Sequence, residues 1–262
     1  MEEKNLKKRI GIITGVILIL ILLIFIKIHD TKKEYGFFAW MDAYIATETN
    51  AENTIAITLF YNKKPFETKD IVSINFSDIP DKIGITGFTV DDIKGTHHGY
   101  SSSTIILDFT AINPGVYTTS GVDIMLNNNK VIHYPVGSWT FDVNIPKEEV
   151  VVDSLSAQQV VSNGFTAFSY DYSVKNEDAV ITKIYYGNNL YVSNEDKVLK
   201  KGVIDIQNEF QAPLIYIKSK IEVSLNNKKI INSGNGYYCG LLAATGDEVI
   251  KKSKNHNQIK NN

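Results

Sequence analysis

Residues 117–141 read YTTSGVDIMLNNNKVIHYPVGSWTF, and residues 216–240 read YIKSKIEVSLNNKKIINSGNGYYCG. Aligned without a gap they share eight identical positions: Tyr117/Tyr216, Ser120/Ser219, Leu126/Leu225, Asn127/Asn226, Asn128/Asn227, Lys130/Lys229, Ile132/Ile231 and Gly137/Gly236. Val122/Ile221, Asp123/Glu222, Ile124/Val223 and Trp139/Tyr238 are conservative partners. Each copy spells the same local structure. In the second, Ile215, Ile217, Ser219, Ile221, Val223 and Leu225 alternate with Tyr216, Lys218, Lys220, Glu222 and Ser224. Successive side chains on a strand point to opposite faces, so this is the period of a half-buried strand. The asparagines that follow tolerate the left-handed backbone that a tight hairpin needs. A second strand, a glycine and an aromatic strand complete each copy.

The same alternation recurs at Ile55/Ile57/Leu59/Tyr61, Val72/Ile74/Phe76, Ile105/Leu107/Phe109 and Phe168/Tyr170/Tyr172/Val174. Asn62-Lys63-Lys64, Asn113-Pro114-Gly115 and Asn188-Asn189 separate these stretches. Many short strands with such punctuation predict an all-β sandwich or barrel. The offset of 99 residues between the copies matches one immunoglobulin-like sandwich, so two tandem domains of that kind are expected. A weaker match, 50–60 against 176–186 at an offset of 126, places about 27 extra residues in the first unit. The expected layout is a first sandwich over 36–145 with an insertion near 62–103, and a second over 149–245. The seam is Ile145-Pro146-Lys147-Glu148-Glu149, where proline cannot donate to a ladder. A short helix is predicted around 156–161, and the polar, lysine-rich 246–262 reads as a disordered tail.

Ahead of the β body, residues 10–26 read IGIITGVILILILLIFI, without a charge. A helix of that length covers about 26 Å, near the lower limit for a hydrocarbon core, and snorkelling of Lys27 extends the span to residue 28. A cleaved leader would have a shorter apolar region ending in small residues, whereas this run ends Phe25-Ile26-Lys27-Ile28. One uncleaved transmembrane helix over 10–28 is therefore expected. Lys4, Lys7, Lys8 and Arg9 precede it, which favours a cytoplasmic tail over 1–9 and an extracytoplasmic C-terminal body.

Beyond Tyr35 the chain carries 20 lysines, 25 acidic residues and no arginine. Arginine supplies the planar fork that grips phosphate and guanine edges. Neither nucleic acid nor a nucleotide is an expected partner. Cys239 is the only cysteine, so the body has no internal disulfide and relies on its core, a pattern suited to a bacterial surface protein. Its setting, Tyr237-Tyr238-Cys239-Gly240, reads as a buried strand position.

Candidate sites are sparse. Asp91, Asp92, His97 and His98 fall within one segment, 91–103, and supply ligand types for a divalent metal. Adjacent histidines in extended backbone project oppositely, and no third ligand stands at a recognised spacing. Tyr185, Tyr186, Tyr191 and Tyr237 form an aromatic concentration that could stack on cell-wall sugars or pack against a protein. No nucleophile elbow, zinc-protease motif or phosphate loop is present. The expectation is a non-enzymatic, cofactor-free binding or scaffold module. It is held to the cell membrane by one pass and engages a protein or cell-wall partner. A metal-assisted envelope hydrolase using 91–103 and an accessory subunit of a transport or sensing complex are the alternatives.

Overall fold

The computed structural model describes residues 36–146, 152–161, 165–174, 178–187, 190–192, 201–205, 212–240 and 249–254. The expected tail and membrane span (1–9 and 10–28) lie outside them, as do seam residues 147–149. Among the described residues, no helix is long and apolar enough to cross a membrane.

Eight strands of the first half make a two-layer sandwich. Gly36–Phe38 (β1), Asn53–Tyr61 (β3), Ile83–His97 (β5) and Tyr100–Ala111 (β6) form one sheet in the order β1-β3-β6-β5. Met41–Glu48 (β2), Ile71–Phe76 (β4), Gly115–Leu126 (β7) and Val131–Asn144 (β8) run β2-β8-β7-β4 in the facing sheet. The first strand is thus split between layers and pairs in parallel with the last, Ala43 opposite Trp139. This is the immunoglobulin-like arrangement that the spacing predicted. The predicted inward positions hold: Ile55, Ile57, Ile105, Leu107, Phe109, Val122 and Ile124 are all buried. Phe76 meets Phe109 and Phe141 edge-on or tilted at 5.6 and 5.1 Å, and Trp139 tilts against Phe76 at 5.7 Å. Burying each such ring contributes about 2–3 kcal/mol relative to exposure.

Val72 departs from expectation. It was read as inward with Ile74 and Phe76, yet it is 58% exposed. A bulge between Ile71 and Ser73 shifts the pleat by one residue, so that Ile71 faces the core instead.

The second half supplies Val152–Val161 (β9), Phe165–Val174 (β10), Val180–Tyr185 (β11), Leu190–Val192 (β12), Lys201–Asp205 (β13), Leu214–Leu225 (β14) and Lys228–Gly240 (β15). Strands β13-β10-β9 form a three-stranded sheet. Residues 156–161, expected to be helical, belong instead to β9. Pairing with β10 overrides the local reading, and β-branched Val160 and Val161 suit a strand.

The repeat is real in structure. Both copies are antiparallel hairpins, β7–β8 and β14–β15. Both lose register at the same place: Ser120 stands opposite residues 136–138, and its partner Ser219 opposite 234–235. The turns differ. Asn226 and Asn227 form a two-residue turn with φ of 51° and 60°, whereas in the turn of the first copy only Asn129 takes positive φ, at 63°.

The weaker match does not survive. Residues 53–61 form β3, which pairs with β6, whereas 180–185 form β11, which pairs with β14. Ile181 faces Val223, and Ile74 faces Ile124, the repeat partner of Val223. So β11 corresponds to β4. The stretch 62–103 is therefore no insertion; it contains β4 and β5, two regular strands of the first sandwich.

The two halves also share a sheet. On β14 one edge is taken along its length by β15. The other edge is divided: 214–218 pair in parallel with β2 at 41–45, and 220–224 pair with β11. Sheet order runs β12-β11-β14-β2-β8-β7-β4 without a break. β2 lies between two parallel partners, and residues 43–47 are all buried, as parallel strands require. Residues 36–262 accordingly form one compact unit. Residues 249–254, expected within the disordered tail, are helical. Val249 and Ile250 pack on Phe37, Ala39 and Phe60, and the Trp40 N–H donates to Ser253 Oγ at 2.8 Å.

Candidate functional site

Among the described side chains, the tyrosines do not form an exposed row. Tyr186 is 7% exposed and belongs to the interior. Tyr185, half-buried on β11, turns its ring beneath the Lys220 ammonium at 4.5 Å. Its hydroxyl donates to Glu222 Oε2 at 3.5 Å. Tyr237 is half-buried on β15. Tyr191 is on β12 opposite Ile184; its side chain lies outside the described residues.

The expected metal segment is the end of the β5–β6 hairpin rather than an open loop. Asp91 and Asp92 stand on β5 opposite Thr104 and Ser103, and neighbouring strand residues face opposite ways. Asp92 accepts from Lys64 Nζ at 2.7 Å and from Ser103 Oγ at 2.6 Å. Those two bonds hold its carboxyl below the usual range. His98 occupies the turn with φ of 50°; His97 pairs with Tyr100 in the ladder, and its side chain lies outside the described residues. Among the described residues, no three His, Cys, Asp or Glu side chains stand together as a metal set.

A serine, a histidine and an aspartate meet on the first hairpin, but not as a nucleophilic triad. His133 Nδ1 lies 2.8 Å from Asp123 Oδ1 and 3.2 Å from Ser77 Oγ. A working triad needs the acid on one ring nitrogen and the nucleophile on the other. Here both share Nδ1, so the ring cannot relay a proton between them.

A polar cluster of several buried groups lies where the halves join. The Tyr44 hydroxyl on β2 donates to Asp142 Oδ2 on β8 at 2.8 Å, and the same oxygen takes the Lys220 ammonium of β14. Lys220 covers Tyr185, which reaches Glu222; Glu222 also takes Lys229, Lys183 and Thr182. Tyr44, Asp142 and Glu222 are all buried. Burial first, then the Asp142 charge, pushes the Tyr44 phenol above its ordinary pKa, so it remains a donor at every physiological pH. Each carboxylate is satisfied by cations and hydroxyls from neighbouring strands. The chemistry this supports is registration of strands, since a buried pair left with one partner costs about 3–5 kcal/mol.

The sequence reading missed this cluster because it assigned Lys218, Lys220 and Glu222 to a solvent face. The available signal was Met41–Glu48, MDAYIATE, a strand with few charges and no clean alternation, which is how a strand buried on both faces reads.

A hollow of about 230 Å³ opens on the first sandwich, lined by Glu52, Asn53, Thr54, Thr86, Gly87, Asp108 and Phe109. Thr54 Oγ1 donates to Asp108 Oδ1 at 2.7 Å on its wall.

No family model matches this chain, and no curated protein matches it. Among solved structures it is similar to fibronectin(III)-like modules of Clostridium thermocellum CbhA, at 12% identity over 78% of this chain and 91% of that one, with a TM-score of 0.21. The sialic acid binding region of a Streptococcus sanguinis SK1 adhesin matches at 6% identity over 80% and 78%, TM-score 0.24. The D00-D0 domain of intimin matches at 9% over 78% and 98%, TM-score 0.20. Superpositions this loose carry no argument; the fold class rests on the strand pairing given above.

Proposed function

We propose that this chain is a non-enzymatic spacer and binding module of the bacterial envelope: two immunoglobulin-like units fused through β14 and held to the membrane by the apolar span at 10–28. The observation that carries the reading is the division of one β14 edge between β2 and β11. A chain whose halves share backbone hydrogen bonds and a buried polar cluster keeps a fixed geometry. That suits holding a partner at a set place, whereas an enzyme that closes over substrate needs units that move. The uncharged run at 10–26 and the basic residues before it support the anchor and its orientation. The partner is a protein or wall polymer, met without arginine and without a cofactor.

Cell fractionation with external protease tests the location: the full chain should sediment with membranes, and protease added outside should remove everything beyond the span. Photo-crosslinkers at the exposed Val116 and Val131 then test the role in intact cells. Adducts to one envelope component at near-equal stoichiometry support a binding module. A soluble full chain, a protease-resistant body, or hydrolysis of wall material by the purified body would overturn the reading.

A further inference from the structure

Asn53 opens β3, and Lys218 lies on β14, 165 residues further along the chain. The Lys218 amine nitrogen stands 2.6 Å from Asn53 Oδ1. The carboxamide is 7% exposed, and its Nδ2 donates to Thr47 Oγ1 and to the Ala51 carbonyl, both at 2.8 Å. Those two bonds fix the amide plane and leave its oxygen toward the lysine. Burial pulls the Lys218 amine below its usual pKa, in the direction that favours its neutral, nucleophilic form; the Glu48 carboxylate opposes that shift.

We infer that Lys218 and Asn53 are the two halves of an intramolecular isopeptide cross-link, a covalent modification that ties β14 to β3. The neutral Nζ lone pair attacks Asn53 Cγ, forming the new N–C bond while the carbonyl electrons move onto Oδ1. The Glu48 carboxylate takes a proton from Nζ and passes one to Nδ2. Collapse then breaks the Cγ–Nδ2 bond and releases ammonia. One amine and one carboxamide become one secondary amide and one ammonia, with no change of oxidation state and no cofactor. Asn53 lines the hollow of about 230 Å³, which offers ammonia a way out.

The link is independent of what the module binds, and mass spectrometry of the full chain purified in detergent decides it. The wild-type chain should be lighter than its sequence by one ammonia, and proteolysis should yield one branched peptide joining Asn53 to Lys218. Lys218→Arg and Asn53→Ala should each show the full mass of their own sequence and only linear peptides. A wild-type chain of full mass would overturn the inference. So would an ammonia deficit that persists in Lys218→Arg, because that marks cyclisation of Asn53 on its own backbone. Glu48→Gln should leave the two side chains unlinked; full linkage in that variant would remove Glu48 as the proton carrier. The wild-type peptide is decisive even where a variant folds poorly.

Discussion

Hairpins β7–β8 and β14–β15 share a sequence pattern, a bulge position and an asparagine turn, yet they sit in different company. In the first, β8 gives its outer edge to β2 and the sandwich closes around Trp139, which is fully buried and donates its Nε1–H to the Met41 carbonyl at 2.7 Å. In the second, the first strand of the pair meets β2, and the residue equivalent to Trp139 is Tyr238, 38% exposed, whose hydroxyl accepts the Ala56 N–H. Sequence duplication thus transmits strand register and bulge, while burial and function of each side chain are set by the neighbour.

Substituting the paired positions tests this directly. The largest effect is expected at Trp139→Ala, which leaves a void against Phe76 and Phe141 and should cost about 3–5 kcal/mol in chemical denaturation. Tyr238→Phe removes one hydroxyl acceptor and should cost about 1 kcal/mol. Equal losses would mean that the two hairpins are energetically equivalent after all.

Gly137→Ala comes next. Gly137 has φ of 137°, and an added Cβ would fall 1.8 Å from the Met41 carbonyl oxygen. Backbone cannot rotate away, so destabilisation of about 2–3 kcal/mol is expected. At Gly236 the obstructing atom is the Tyr216 hydroxyl, a side-chain end that can shift, and Gly236→Ala should cost about half as much. The ratio of the two midpoints, measured side by side, reads the difference.

Glu222→Ala and Asp123→Ala probe the charged partners. Glu222 is 9% exposed and serves Lys229, Lys183 and Thr182, so its loss should cost about 2 kcal/mol. Asp123 pairs with the exposed ring of His133 in the first hairpin, and its loss should stay within about 0.5 kcal/mol. Denaturation at low and high salt separates the two, because the exposed Asp123 pair is screened more strongly than the pairs of the buried Glu222 carboxylate.

Smallest are the turns. Asn227→Gly relieves a left-handed residue in a two-residue turn that needs positive φ twice, and Asn129→Gly does so in a turn that needs it once. Both should raise the melting midpoint slightly, the first more than the second.

Much of the fold was legible. Alternation marked the inward residues of β3, β6, β7 and β14, and the repeat marked both hairpins, because each signal is local and survives in one chain. The weak match between 50–60 and 176–186 misled because alternating strands resemble one another whatever they pair with. Pairing partners are long-range facts with no local signature. Bulges hid for the same reason, and a single one between Ile71 and Ser73 was enough to turn Val72 outward. The polar cluster was illegible because a strand buried on both faces was read as having one wet face. Adjacency of Tyr185 and Tyr186 says that one ring faces outward and one inward, but not which; the neighbours decide that Tyr186 is the buried one.

Synthesis gives the seat of β2 a further meaning. That strand is made early, and β8 can take one of its edges as soon as the first sandwich is complete. The other edge must wait for β14, which emerges near the end of the chain. Until then a flat, apolar strand flank stays open to any passing polypeptide. The body therefore reaches its finished form in two stages, and the interval between them is when it is most exposed to mispairing.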